Sequence, residues 1–341
     1  MPVAPDSSSP QIGLVGLTAW GLGLALSFGR AGRDVLLIAR SPGEAEPVQL
    51  SRYHRRLPGF ALPENVCVCS PGHVDFKDLK ALILAVPSQQ MRENVRLLSP
   101  HLAARTAIVS AAKGLEESTR LRMTEVIAEE LGNDRPAAAA LSGPNLVQEI
   151  LAGLPAAAVL ASADMALGCE LQELLATPRL RLYTSQDVVG VEMGGALKNV
   201  IALAAGLSEG LGYGDNAKAA LITRGLAEIV RLGVAMGAEA LTFSGLSGVG
   251  DLIATCGSPL SRNHRAGKLL ARGLSIKAVQ ETIGEVIEGI GTTSAAYALA
   301  CLHGVGMPIT QQLHQVLYGG LPPREAAAAL MLRDLTDESP I

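Results

Sequence analysis

Through the first half of the chain, short apolar runs alternate with stretches whose apolar residues recur at helical spacing. The runs at 12–15, 34–39, 66–69, 81–86, 107–110, 137–141, 156–160 and 180–183 are of strand length. Such alternation predicts parallel strands joined by crossover helices, the first of them over 19–31. Pro87 closes the fourth run, because its fixed φ and missing N–H end a strand. Beyond residue 185 the strand-like runs stop, and 188–207, 215–236, 267–270, 284–303 and 322–332 predict helices or pieces of helices. The pattern therefore predicts an α/β amino-terminal domain over 11–185, with a mostly parallel sheet and helices on both faces. An all-α carboxy-terminal domain over 186–341 follows it, and residues 1–10 form a disordered lead-in.

A chain of 341 residues can hold two separate cores. With 48% hydrophobic and 18% charged residues it is globular rather than disordered. Aromatics reach only 3%, so the cores are aliphatic and base-stacking platforms are not expected. A net charge of -4 gives no general attraction to nucleic acid, so any anion site must be a local cluster. Cys67, Cys69, Cys169, Cys256 and Cys301 show neither zinc nor redox spacing, and they are expected to be buried free thiols in a reducing compartment. The histidines at 54, 73, 101, 264, 303 and 314 show no ligand spacing either, so no metal is expected. The uncharged stretch 12–29 is nearly long enough to span a bilayer. Its five glycines and the absence of a preceding Lys or Arg favour a strand–turn–helix over a membrane span or signal peptide.

That strand–turn–helix carries the first candidate chemistry. A dinucleotide-binding, Rossmann-like domain places glycines in its first turn, where backbone meets pyrophosphate at a helix N-terminus. Here the turn reads Gly16-Leu17-Thr18-Ala19-Trp20-Gly21, with Thr18 where the middle glycine would stand. Its Cβ and methyl are expected to crowd the pyrophosphate and weaken both cofactors alike, and its hydroxyl could donate to phosphate. The second run ends in Arg40, and its only acid, Asp34, lies at the opposite end. An acid at that end suits NADH and an Arg suits a 2′-phosphate, so NADPH is favoured over NADH.

In the second half, Lys198 and Asn199 sit inside an apolar, glycine-rich helical run. Desolvation lowers the pKa of such a Lys and lets it exchange protons near neutral pH, although a snorkelling surface Lys reads similarly. Asn199 could equally bond a neighbouring carbonyl. Asp251 follows Gly248-Val249-Gly250 and reads either as a helix N-cap or as a group orienting substrate or Lys198. Arg262-Asn263 offers fixed donors suited to a phosphate, with His264 beside it as a surface residue. Arg224 and Glu228, four apart on a helix, predict an ion pair. Gly206-Leu207-Ser208-Glu209-Gly210 matches a hydrolase elbow in the wrong, helical context.

Several segments together resemble the bacterial-type NAD(P)-dependent glycerol-3-phosphate dehydrogenases. They are Ala85-Val86-Pro87-Ser88-Gln89, Lys113-Gly114-Leu115-Glu116, Ser142-Gly143-Pro144, Gly195-Ala196-Leu197-Lys198-Asn199-Val200, Thr223-Arg224-Gly225-Leu226-Ala227-Glu228, Gly248-Val249-Gly250-Asp251-Leu252, Ser261-Arg262-Asn263 and Val286-Ile287-Glu288-Gly289. The resemblance implies reversible NAD(P)H-dependent reduction of dihydroxyacetone phosphate to sn-glycerol 3-phosphate, feeding phospholipid synthesis. It implies that Lys198, Lys113 and Asp251 are catalytic, and that Lys113, Gly143, Asn145, Lys198, Asp251, Ser261, Arg262 and Asn263 bind substrate. Cofactor contacts would come from Gly16, Thr18, Ala19, Trp20, Gly21, Arg40, Lys113, Val147, Arg262, Val286 and Glu288. Ala19, Asn145 and Val147 depart from the family pattern, Val147 adding bulk near the nicotinamide, and the segment between Arg40 and Leu57 reads as a short loop. The partner is then a small phosphorylated substrate, with no nucleic acid and no membrane insertion, in a cytoplasmic homodimer. Two alternatives stay open: a related dehydrogenase with another small substrate, such as a 3-hydroxy acid or ketopantoate, and a non-catalytic nucleotide-binding regulator.

Overall fold

The computed structural model describes residues 11–72, 76, 78–132, 138–334 and 338; the expected lead-in, His73 and Ala137 lie outside them. Eight strands form one sheet: β1 (Ile12–Val15), β2 (Val35–Ile38), β3 (Val66–Cys69), β4 (Ala81–Leu84), β5 (Ala107–Ser110), β6 (Ala139–Ser142), β7 (Ala156–Ala161) and β8 (Leu180–Ser185). Their order is β3-β2-β1-β4-β5-β6-β7-β8, and every pairing is parallel except β6 with β7. Each expected strand is present. They were legible because a sheet covered on both faces makes its strands apolar throughout. Ile12 and Leu14 of β1 enter the core on one face, with Val35 and Leu37 of β2. Val15, Leu36 and Ile38 enter the core on the other.

Fourteen α-helices occur among the described residues. Those on the sheet are α1 (Ala19–Arg30), α2 (Pro42–Ser51), α3 (Met91–Leu98), α4 (Met123–Leu131), α5 (Val147–Leu151) and α6 (Met165–Leu175). The rest follow the last strand: α7 (Val188–Gly210), α8 (Asp215–Ala235), α9 (Asp251–Gly257), α10 (Arg262–Ala271), α11 (Ile276–Ile283), α12 (Glu288–His303), α13 (Pro308–Tyr318) and α14 (Pro323–Met331). Two expectations need correction. The segment after Arg40 is not a loop but α2, which tolerates Pro42 at its start and Pro47 inside. The helix expected over 284–303 is two elements, because Gly284 ends α11 in the left-handed region at φ 68° and the chain restarts at Glu288.

Helix α7 is the axis of the second core and is buried from Gly190 to Ser208. It is the one helix among the described residues long and apolar enough to cross a membrane, and its burial marks it as a core element. Its glycines admit close neighbours: a Cβ on Gly206 would overlap the backbone of His264 on α10. Ser208 therefore lies inside a helix, which removes the strand-to-helix turn a hydrolase elbow requires. Glu228 does not pair with Arg224. It is buried and accepts bonds from Ile309 N (2.5 Å), Thr310 N (3.1 Å) and Thr310 Oγ1 (2.9 Å), so it caps α13 from a neighbouring helix. Of the five thiols, only Cys69 and Cys256 are buried; Cys67, Cys169 and Cys301 are exposed.

Candidate active site

Strand order reverses at β1, whose neighbours are β2 and β4, and crevices of parallel sheets open at the carboxyl ends of strands flanking such a point. The turn from β1 to α1 lies there. Gly16 adopts φ 106°, a value open to glycine, and a Cβ on Gly21 would overlap the Gly16 carbonyl oxygen. Ala19 and Trp20 open α1, and the indole Nε1 of Trp20 is buried without a hydrogen-bond partner. A glycine-built cradle at a helix N-terminus with a buried, unpartnered N–H beside it fits a dinucleotide.

Thr18 plays a part that the sequence did not reveal. Its side chain is the N-cap of α1, accepting from Gly21 N at 3.0 Å, while its hydroxyl donates to Ala85 O at 2.6 Å. The proton that could have met a phosphate is thus committed to the end of β4. Thr18 sits at φ −74°, ψ 162°, so the turn has no conformational need of glycine there. The Thr18→Ala variant is expected to lose about 1 kcal/mol of stability with the cap, measured as a lower urea midpoint.

Across the sheet's carboxyl edge lies a buried charge cluster. Lys113, in the loop after β5, donates to Gly143 O at 2.5 Å and to Asp251 Oδ2 at 2.7 Å. Lys198, at mid-α7, donates to Asp251 Oδ1 and, at 2.8 Å, to Thr255 Oγ1. Thr255 Oγ1 also lies 3.2 Å from Asp251 Oδ1. Asp251 is therefore not the N-cap of α9; it is the first residue of that helix, with its carboxylate shared between two ammonium groups. Gly143 presents its carbonyl from φ 139°, and a Cβ there would lie 2.9 Å from Ala158 Cα.

The electrostatics follow from burial. Desolvation pushes the Lys198 ammonium down to about 7, with Asp251 opposing and Lys113 reinforcing the shift. Burial alone would push the Asp251 carboxyl up, but Lys113 and Lys198 outweigh it and hold the carboxyl below its ordinary value. Lys198 is not a snorkelling surface Lys, since its side chain is only 8% exposed.

A chain of amides steadies this cluster. Gly289 N donates to Asn263 Oδ1 (2.9 Å), Asn263 Nδ2 to Asn199 Oδ1 (2.8 Å), and Asn199 Nδ2 to Lys113 O (2.9 Å). Asn199 also reaches Gly195 O at 3.4 Å, the neighbouring carbonyl that the sequence reading offered it. Ser261 caps α10 by accepting from His264 N, and Arg262 donates to Val286 O at 3.0 Å and lies 3.3 Å from Glu285. Val286 is 44% exposed, and Glu288 is drawn to the sheet domain, accepting from both Ser88 N (3.0 Å) and Ser88 Oγ. Burial pushes the Glu288 carboxyl up despite these bonds.

Other candidates lie apart or are otherwise engaged. Asn145 donates to Ala157 O at 3.2 Å, and its Oδ1 is buried without a partner. Val147 opens α5 and faces Gly23 of α1, where an added Cβ would lie 3.2 Å from Val147 Cγ1. Arg40 is exposed and reaches Gln90 Oε1 at 3.3 Å. His264 is not a surface residue; it is 4% exposed, lies 3.0 Å from Glu209 Oε2, and burial holds it below its usual pKa. Thr255 escaped the sequence reading, and Ser88 stood there only within a segment of the family resemblance, with no role of its own. Thr255 follows Asp251 by four positions, one helical turn, which is the signal that could have found it.

Comparison with known proteins finds relatives along nearly the whole chain. Residues 11–168 match the family model for the NAD-dependent glycerol-3-phosphate dehydrogenase N-terminus, and residues 187–328 match that for its C-terminus. The chain is 46% identical over 329 residues to a glycerol-3-phosphate dehydrogenase [NAD(P)+] of Moorella thermoacetica, covering 96% of this chain and 97% of the relative. It is 49% identical to the protein of that name from Symbiobacterium thermophilum, over 94% of this chain and 93% of the other. The crystal structure of glycerol-3-phosphate dehydrogenase from Coxiella burnetii superposes with a TM-score of 0.89 at 37% identity, covering 94% of this chain and 98% of that one.

Proposed function

Because the chain belongs to the NAD-dependent glycerol-3-phosphate dehydrogenase family, we infer that the Lys113–Asp251–Lys198 cluster is where its reaction takes place. The protein is an oxidoreductase that reduces dihydroxyacetone phosphate to sn-glycerol 3-phosphate with NAD(P)H. The reading of the site rests on one observation: a buried Lys held by a carboxylate that it shares with a second Lys, where desolvation pushes its pKa down to about 7.

Bound reduced nicotinamide supplies the hydride for the carbonyl carbon. The chain's own residues stabilise and protonate the oxygen. Lys198 gives its proton to the developing alkoxide and, in the reverse direction, takes it from the hydroxyl. Asp251 and Thr255 fix the ammonium by two hydrogen bonds, leaving its third N–H for substrate. Lys113 balances the second carboxylate oxygen and adds positive charge beside that substrate. Gly143, Asn145, Ser261, Arg262 and Asn263 complete the substrate side. Gly16, Thr18, Ala19, Trp20, Gly21, Arg40, Val147, Val286 and Glu288 line the cofactor, with Lys113 and Arg262 touching both. NADPH is the favoured cofactor, through Arg40. The enzyme works as a cytoplasmic homodimer without inserting into a membrane, and it supplies phospholipid synthesis.

Arg262 tests the phosphate end of this reading. Its side chain is 43% exposed, which places the effect at the scale of a single hydrogen bond to a charged group rather than of a buried ion pair. The Arg262→Ala variant should raise KM for dihydroxyacetone phosphate by about 10–100-fold, corresponding to about 1.5–3 kcal/mol. Whatever activity it has on unphosphorylated dihydroxyacetone should hardly change. Equal losses on both ketones, followed by NADPH oxidation, would place Arg262 on the cofactor alone.

A further inference from the structure

We propose that Glu44 is the acid that grips the ribose hydroxyls of NADH, and that Glu44 and Arg40 together set the balance between NADH and NADPH. The proposal rests on the reading that a dinucleotide occupies the cradle between β1 and α1. In that fold an acid at the carboxyl end of the second strand accepts hydrogen bonds from the ribose, and β2 itself offers none there. Asp34 precedes the strand, at its far end.

The structure brings a carboxylate back to that place by a route that linear reading misses. Helix α2 begins at Pro42, and Glu44 stands in its first turn. From there Glu44 Oε2 accepts the backbone N–H of Arg40 at 3.3 Å, two residues past the end of β2. The N-cap residue Ser41 makes no capping bond with its own side chain, so the carboxylate alone reaches back over the chain. The Arg40 guanidinium turns the other way, to Gln90 Oε1 at 3.3 Å, just before α3.

Two opposite charges thus flank one backbone position without pairing with each other, and both are exposed. This division suits two ligands. A ribose 2′-hydroxyl is a donor and finds an anionic acceptor in Glu44, a charge-assisted bond. A 2′-phosphate offers only negative charge, which Glu44 repels and Arg40 attracts. Each cofactor leans on the side chain that the other does not use.

The test is calorimetric titration of NADH and of NADPH into the wild type, Glu44→Gln and Arg40→Ala, with a thermal unfolding scan of each. Glu44→Gln should weaken NADH about tenfold, the lower end for a charge-assisted hydrogen bond at an exposed site, while NADPH binds unchanged or tighter. Arg40→Ala should shift the ratio of the two dissociation constants in the opposite direction. A carboxamide still offers Arg40 N–H an oxygen, so a Glu44 that merely capped α2 would leave the ratio unchanged in Glu44→Gln, with at most the small loss of melting temperature that a missing charge at a helix N-terminus brings. That outcome, with both cofactors binding, overturns the assignment and leaves the cradle intact. Binding of neither cofactor by the wild type overturns both.

Discussion

Lys198→Ala is expected to cut turnover by about 10²–10⁴-fold, the usual worth of a positioned acid–base group. The fold should persist, since Asp251 keeps Lys113 at 2.7 Å and is not left as a lone buried charge. Cofactor titration should be unaffected. The pH profile makes the test sharper. The Lys198 ammonium is pushed down to about 7, so its protonated form, needed to reduce the ketone, is lost as pH rises through that value. The kcat/KM for reduction should fall above about 7, and that for oxidation should fall below it. Both limbs should vanish from the residual activity of the variant. Near-normal turnover, or an unaltered pH profile, would mean the proton comes from elsewhere.

Loss of Asp251 should affect stability as well as rate. The Asp251→Ala variant leaves Lys113 and Lys198 buried without their shared counter-ion, and breaking a buried ion pair from one side costs about 3–5 kcal/mol. Asp251→Asn keeps the shape and separates charge from volume. With the carboxylate gone, the attraction that holds the Lys198 proton is lost while Lys113 still repels it, so its pKa should drop further and the reduction limb should move below its wild-type position. The signs of the stability terms are also fixed. The Asp251 carboxyl is held below its ordinary value, so its ionisation stabilises the fold above the usual Asp range and that contribution disappears as acid titrates it in the folded state. Lys198 acts in the other direction. Its folded pKa of about 7 lies under the ordinary 10.5, so the unfolded chain binds more protons between those values and stability rises with pH across that window. Denaturant titrations of the wild type and Asp251→Asn at several pH values would read both terms; identical pH dependence in the two proteins would refute the electrostatic account.

The sequence by itself determined the sheet and the long helices, because their patterns are local. A parallel strand covered on both faces must be apolar at consecutive positions, so 12–15 and 81–84 declare themselves without a partner. Helix α7 was legible for a similar reason, and Lys198 stood out within it because a charge among apolar neighbours is costly anywhere. Short or proline-bearing helices such as α2 and α5 were not legible; their stability comes from packing rather than propensity. The family resemblance, not residue chemistry, singled out Lys113 and Glu288.

Tertiary structure decided what each polar group does. Glu228 has Arg224 one helical turn away, yet its oxygens go to the start of α13, since two orphan N–H groups and the Thr310 hydroxyl, brought there by packing, outweigh an exposed ion pair. Thr18 stands where a phosphate turn has glycine, and packing also makes it a helix cap tied to the end of β4. Asp251 read either as a cap or as a group orienting Lys198, and packing made it the shared counter-ion of two lysines that come from positions 53 and 138 residues away. Periodicity reports which face of an element is buried, and that is written in neighbouring residues. The partner of a buried charge depends on which distant element arrives opposite it, and no window along the chain contains that approach.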